Sequence, residues 1–124
     1  MSTLLLCDDH RVVREALADL LATITGVTAV TQAGSAEEVL ATYPAQLPDA
    51  VVMDVRLPGL DGASATVKLL KDHPGARVLL LTADIRDDAR LRALQAGARG
   101  VLPKDIDAVG LTGAVETILR GGDL

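Results

Sequence analysis

Five side chains in this sequence have the types and spacing for phosphoryl chemistry: Asp8, Asp9, Asp54, Thr82 and Lys104. Each stands at the end of a short, largely apolar run. Leu4-Leu5-Leu6-Cys7 precedes the acidic pair, Ala50-Val51-Val52-Met53 precedes Asp54, Val78-Leu79-Leu80-Leu81 precedes Thr82, and Gly100-Val101-Leu102-Pro103 leads into Lys104. Three carboxylates brought together raise one another's pKa unless a cation neutralises them, so their convergence implies a divalent metal site. Oxygen donors favour Mg²⁺ over zinc, and His10 and His73 fall on different segments without zinc-like spacing. A carboxylate beside Mg²⁺ and a lysine is what phosphoryl transfer to aspartate requires, because both cations stabilise charge on the phosphoryl oxygens. Asp54 is the nucleophile candidate, Asp8 and Asp9 suit the metal, and Thr82 and Lys104 suit phosphoryl oxygens. Taken singly, each acid also fits a helix cap or a solvated loop charge, and Asp8 or Asp9 fits the cap of a first helix. Thr82 alone could simply end a strand and Lys104 alone could lie on the surface. Only their conjunction points to a site.

The elements that must position these residues follow from periodicity. Residues 3–7, 27–33, 50–53 and 78–82 are predicted strands, with a weaker fifth at 100–102. Their central runs are continuously apolar, the pattern of parallel strands covered on both faces. Val13, Ala16, Leu17, Leu20, Leu21 and Ile24 recur at three- and four-residue steps as the buried stripe of a first helix. Ser35 with Glu38 forms a capping box for a second. A third is predicted over 63–70, stopping before His73-Pro74-Gly75, and a fourth over about 87–95, closing at Gly97. Leu111, Ala114, Val115, Ile118 and Leu119 mark a fifth, ending at Gly121-Gly122. Five βα units predict a doubly wound five-stranded parallel sheet of order 2-1-3-4-5, with ligands bound at the carboxyl ends of the strands.

Composition sets the bounds. The 124 residues fit one domain, over 1–124, and 49% are hydrophobic against 23% charged. One Tyr and no Phe or Trp make the core aliphatic and argue against flavin binding or stacking on single-stranded nucleic acid. A net charge of −5 with no basic run predicts no direct nucleic-acid contact. Cys7 is the single cysteine, so no internal disulfide is possible, and no signal-peptide pattern opens the chain. No apolar run approaches the roughly 20 residues of a membrane helix. The expectation is a cytoplasmic protein without membrane contact.

The motifs together resemble the receiver domains of bacterial two-component response regulators, over essentially the whole chain. Leu4-Leu5-Leu6-Cys7-Asp8-Asp9-His10 resembles the acidic-pair strand, and the stretch from Asp49 through Asp54 to Pro58-Gly59-Leu60-Asp61-Gly62 resembles the phosphoacceptor strand and its loop. Leu79-Leu80-Leu81-Thr82-Ala83 resembles the switch-hydroxyl strand, and Gly97 to Asp105 the lysine loop. The resemblance implies a flavodoxin-like (βα)5 fold and phosphorylation of Asp54 by a cognate sensor histidine kinase. It implies Mg²⁺ among Asp8, Asp9, Asp54 and the backbone carbonyl of Arg56. It also implies a two-state switch in which Thr82 moves inward, with Ala83 and Val101 at the switch, and homodimerisation on activation. Asp8 to Glu15 and Lys104-Asp105 are most similar to receivers of LuxR-type (NarL/FixJ-like) helix-turn-helix regulators, which predicts transcriptional control through an output domain absent from this chain. Such a chain is not an enzyme in the ordinary sense, although it takes part in its own phosphotransfer and dephosphorylation.

Two positions depart from the family pattern. Val101 stands where many members carry Tyr or Phe, and Pro103 precedes Lys104, which restricts Leu102 to extended geometry and would alter the lysine's reach. Arg56 and Asp84, two residues beyond Asp54 and Thr82, are expected to flank the attacking water and pair across the site, with solvated loop charges as the plainer reading. His10 is expected to start a helix, His73 to be solvated in a turn, and Cys7 to be buried and inert. Pro58-Gly59 and Asp61-Gly62 fit turn chemistry. A haloacid-dehalogenase-type phosphatase would need a second Asp where Arg56 stands, and room for a cap domain. A flavodoxin-like electron carrier would need aromatic residues. A receiver-like interaction module working without phosphorylation is the remaining alternative: the complete acidic set argues against it, and Val101 and Pro103 keep it open.

Overall fold

The computed structural model describes residues 1–83 and 88–122. Five strands, β1 (Ser2–Cys7), β2 (Val27–Ala33), β3 (Ala50–Asp54), β4 (Val78–Thr82) and β5 (Gly100–Pro103), alternate with helices α1 (Arg11–Ala22), α2 (Ala36–Gln46), α3 (Gly62–Asp72), α4 (Asp88–Gln95) and α5 (Ala108–Leu119). The strands form one parallel sheet in the order β2-β1-β3-β4-β5. The predicted topology is the observed one.

Period-two alternation in the central strands divides the core into two layers. Leu5, Cys7, Val51, Met53, Val78 and Leu80 face α2, α3 and α4, where they meet Val39, Tyr43, Ala65, Leu69 and Ala93. Leu4, Leu6, Ala50, Val52, Leu79 and Leu81 face the other way, against Ala18 and Leu21 of α1 and Leu111, Val115 and Ile118 of α5. Both faces are covered, so neither can be polar, and the strands read as uninterrupted apolar runs until they leave the core. That is why the first polar residues appear together at one end of the sheet.

The helix starts refine the sequence reading. His10, not Asp8 or Asp9, is the N-cap of α1, and it makes no side-chain cap bond. Ser35 caps α2 by accepting from the Glu38 N–H at 3.1 Å, while Glu38 reaches back to the Gly34 N–H at 3.0 Å, one residue beyond the usual capping-box partner. Asp61, taken as a turn residue, is the N-cap of α3 and accepts from the Ser64 N–H; Asp107 does the same for α5. Each such cap contributes about 1 kcal/mol. The predicted start of the fourth helix at Asp87 lies outside the described residues. Its end is as expected, with Gly97 in the left-handed region at φ 101°. Among the described residues, no helix is long and apolar enough to cross a membrane.

Gly62 is required for close approach. Its N–H donates to the Val55 carbonyl at 2.8 Å, and a Cβ there would collide with the carbonyl of Asp54. Gly113, exposed in the middle of α5, has nothing within 4 Å of a built Cβ. Gly62→Ala is therefore expected to cost at least about 1–3 kcal/mol through overpacking, whereas Gly113→Ala is expected to stabilise by about 0.5–1 kcal/mol through helix propensity. Urea denaturation of the two variants beside the wild type checks both signs.

Candidate functional site

The carboxyl ends of β1, β3, β4 and β5 gather Asp8, Asp9, Asp54, Thr82 and Lys104 at one edge of the sheet, as sequence spacing predicts. Lys104 is the link between them. Its Nζ lies 2.6 Å from Asp54 Oδ2 and 2.9 Å from Asp8 Oδ2, so one ammonium bridges two carboxylates from different strands. Both acids are buried, Asp8 to 1% and Asp54 to 6% exposure. Pro103 does not disturb this reach, contrary to expectation: Leu102 lies in β5, where the extended geometry that the proline imposes is the strand's own, and the Lys104 N–H still donates to the Thr82 carbonyl at 2.7 Å.

Backbone contacts fix the acidic pair. Arg14 Nη1 donates to the Asp8 carbonyl at 2.9 Å and Arg14 Nε to Gln32 Oε1 at 3.1 Å, tying α1 and β2 to the end of β1. Asp8 Oδ1 accepts from the His10 N–H at 2.9 Å. The His10 ring adjoins the pair, its Nδ1 3.6 Å from Asp8 Oδ1 and 3.4 Å from Asp9 Oδ1, so it is both the helix-start residue expected and a neighbour of the acids. Thr82 is fully buried, Ala83 exposed and Val101 half-buried against the α2–α4 layer of the core. Arg56 is exposed in the loop after β3. Asp84 lies outside the described residues.

Charge is unbalanced here. Burial pushes the Asp54 carboxyl above its ordinary pKa, Lys104 opposes this through its hydrogen bond and charge, and Asp8 and Asp9 push it up further. Burial would lower the Lys104 pKa, but its bonds to Asp54 and Asp8 outweigh that and raise it. Three carboxylates against one ammonium leave a local negative excess on oxygen donors, a donor set that fits a hard divalent cation such as Mg²⁺. Cys7, just beneath, is pushed up to about 12 by burial first and then by Asp8, Glu38 and Asp54, which keeps the thiol protonated and inert as expected.

Sequence reasoning missed Asp61 and Arg92. Asp61 uses both oxygens: Oδ1 accepts from the Ser64 N–H at 2.8 Å, and Oδ2 from Arg92 Nη2 on α4 at 2.7 Å. Partial burial acts to raise the Asp61 pKa, but these bonds win and hold it below the ordinary carboxylate value. Its position three residues before Ser64, at the start of an apolar-periodic segment, is a cap signal that could have found it; nothing local announces Arg92. The two flank a cleft of about 660 Å³ over the loop after β3, shared with Arg56 and Asp88. His73 is not simply solvated, since its half-buried ring packs against Tyr43 at a tilt of 51° with centroids 4.7 Å apart.

The charge imbalance has a pH signature. A carboxyl whose folded-state pKa is raised makes the fold less stable as pH climbs from its ordinary value through the raised one. In EDTA, Asp54→Asn is expected to unfold at higher urea than wild type at neutral pH, and the gain is expected to vanish below about pH 4. Lys104→Met leaves Asp8 and Asp54 without their counter-charge and is expected to cost roughly 2–3 kcal/mol at neutral pH. Denaturation curves of the three proteins across pH read both effects.

Comparison with known proteins places this geometry. Residues 4–116 match the family described as the response regulator receiver domain. The chain is 42% identical over 124 residues to the DNA-binding transcriptional activator DevR/DosR of Mycobacterium tuberculosis, covering 100% of this chain and 57% of that protein. It is 39% identical over 121 residues to the response regulator GacA of Pseudomonas viridiflava, covering 98% and 56%. The chain thus spans a little over half the length of these relatives. A two-component response regulator of the LuxR family from Aurantimonas superposes with a TM-score of 0.94 at 36% identity, over 99% of this chain and 88% of that one. With its acidic pair, buried strand-end aspartate and bridging lysine in the expected places, the chain belongs to the response regulator receiver family.

Proposed function

We propose that the chain is the phosphorylation switch of a two-component system, in which Asp54 takes a phosphoryl group from the phosphohistidine of a cognate sensor histidine kinase. The observation that carries this reading is the Lys104 bridge between buried Asp54 and Asp8. An Asp54 carboxylate oxygen attacks phosphorus, the P–N bond to the kinase imidazole breaks, and an acyl phosphate forms. Lys104 stands ready to exchange its contact with Asp54 Oδ2 for a phosphoryl oxygen, so its charge follows the new anion. Asp8, Asp9, Asp54 and the Arg56 backbone carbonyl would hold Mg²⁺, which supplies electrostatic stabilisation of the transferring group when bound. The Thr82 hydroxyl offers the contact that turns phosphorylation into a conformational change, with Ala83 and Val101 beside it. The chain acts on itself rather than on a separate substrate, which sets it apart from a turnover enzyme.

Several features support a transcriptional role. DevR/DosR is a DNA-binding transcriptional activator and the Aurantimonas protein a LuxR-family regulator, so the natural output is a helix-turn-helix domain in a cytoplasmic regulator that homodimerises on activation. The net charge of −5 assigns DNA contact to that domain rather than to this segment.

Incubation with Mg²⁺ and acetyl phosphate followed by intact mass measurement is expected to show one phosphoryl increment in wild type and none in Asp54→Ala. No increment in wild type, together with no binding of beryllium fluoride, would instead support a phosphorylation-independent interaction module. Arg56, exposed beside the acceptor, is expected to tune the lifetime of the acyl phosphate, so Arg56→Ala should change its decay rate by a few-fold, on the scale of a single charged contact. Equal decay in the variant and wild type would reject that role.

A further inference from the structure

The acceptor strand and α4 are joined by a continuous set of close contacts through the start of α3. Gly62 packs its α-carbon against the Asp54 carbonyl and donates to Val55, so the first turn of α3 has no slack relative to the acceptor. Asp61, the adjacent residue, is fixed to that turn through Ser64 and reaches α4 through Arg92 at 2.7 Å. On α4 itself, Ala93 is the only fully buried side chain among those described, while Leu91 and Leu94 are 58% and 43% exposed. Among the described residues α4 is thus anchored more lightly than the other helices, the condition under which an element shifts at low cost and an ion pair can bias its position. Val101, β-branched and confined at χ1, has no ring to swing between positions.

We infer that the Asp61–Arg92 bridge latches α4 to the phosphoacceptor loop in the unphosphorylated state and releases it when phosphorylation shifts the Asp54 backbone, making Arg92 a positioning residue of the switch. This rests on the phosphoswitch reading above. The latch biases a two-state element: with it closed, the form that accepts the phosphoryl group is the minor one, and opening it raises that form's population and the apparent affinity for any ligand of that form.

Beryllium fluoride with Mg²⁺, titrated by calorimetry into the full chain, tests this. Asp61→Asn keeps a capping side chain on α3 and removes the charge, and Arg92→Gln removes the other partner. Each is expected to bind about two- to fivefold more tightly than wild type, the range open to a half-exposed ion pair, and the double variant no more tightly than either single one. Arg90→Gln, the same charge change at an exposed α4 position, is expected to match wild type. Amide hydrogen exchange in α4 should be faster in the two variants than in wild type without beryllium fluoride and equal with it. Unchanged or weaker binding in both variants, or additive effects in the double variant, would overturn the latch. Failure of wild type to bind beryllium fluoride at all would overturn the phosphoswitch reading instead.

Discussion

One ammonium shared by two buried carboxylates governs this molecule's chemistry. Lys104 reaches Asp54 and Asp8 across the ends of three strands, and each of those acids is in a place where an ionised group is costly unless it has a partner. The lysine offsets much of that cost but not all, because Asp9 and its neighbours bring more negative charge than one cation balances. The site therefore carries a net negative charge on oxygen donors around a single ammonium. The same imbalance makes these oxygen donors a set that fits a hard divalent cation, which is the basis of the function proposed above.

Such a bridge is useful only on a stiff platform. The two aliphatic layers supply it, one under α2, α3 and α4 and the other under α1 and α5, with β1, β3 and β4 buried on both faces between them. Arg14 on the Asp8 carbonyl and Gly62 against the Asp54 carbonyl extend that stiffness to the two strand ends that carry the acids. Stability and chemistry are divided along the strands: apolar while inside the core, ionisable at the first residue outside it.

The lightest packing lies on one side. α1, α2, α3 and α5 each bury at least two side chains, whereas among the described residues of α4 only Ala93 is buried and Arg92 makes a polar contact to Asp61. Polar contacts at a surface are worth little each and can be exchanged for others of similar energy, which is the physical basis of the latch proposed for α4. Val101 beside it leaves that exchange to charge rather than to the rotation of a ring.

The sequence by itself determined the strands, their order and the principal site residues, because each of these follows from local pattern. A strand buried on both faces must be apolar throughout, so the ends of β1, β3 and β4 are visible as the first acid or hydroxyl, and three such strands within a fivefold βα alternation leave few topologies. The tertiary structure alone decided which of those groups touch. Lys104 and Asp54 are 50 residues apart and Asp61 and Arg92 are 31 apart, and no local periodicity encodes either pairing. Asp61 looked like a turn residue because capping and turn chemistry use the same side chain, and the contact of Arg14 with the Asp8 carbonyl has no sequence signature. The tolerance of Pro103 has the same origin: β5 already holds Leu102 extended, as the proline requires, and only the folded chain shows that Lys104 then reaches both acids.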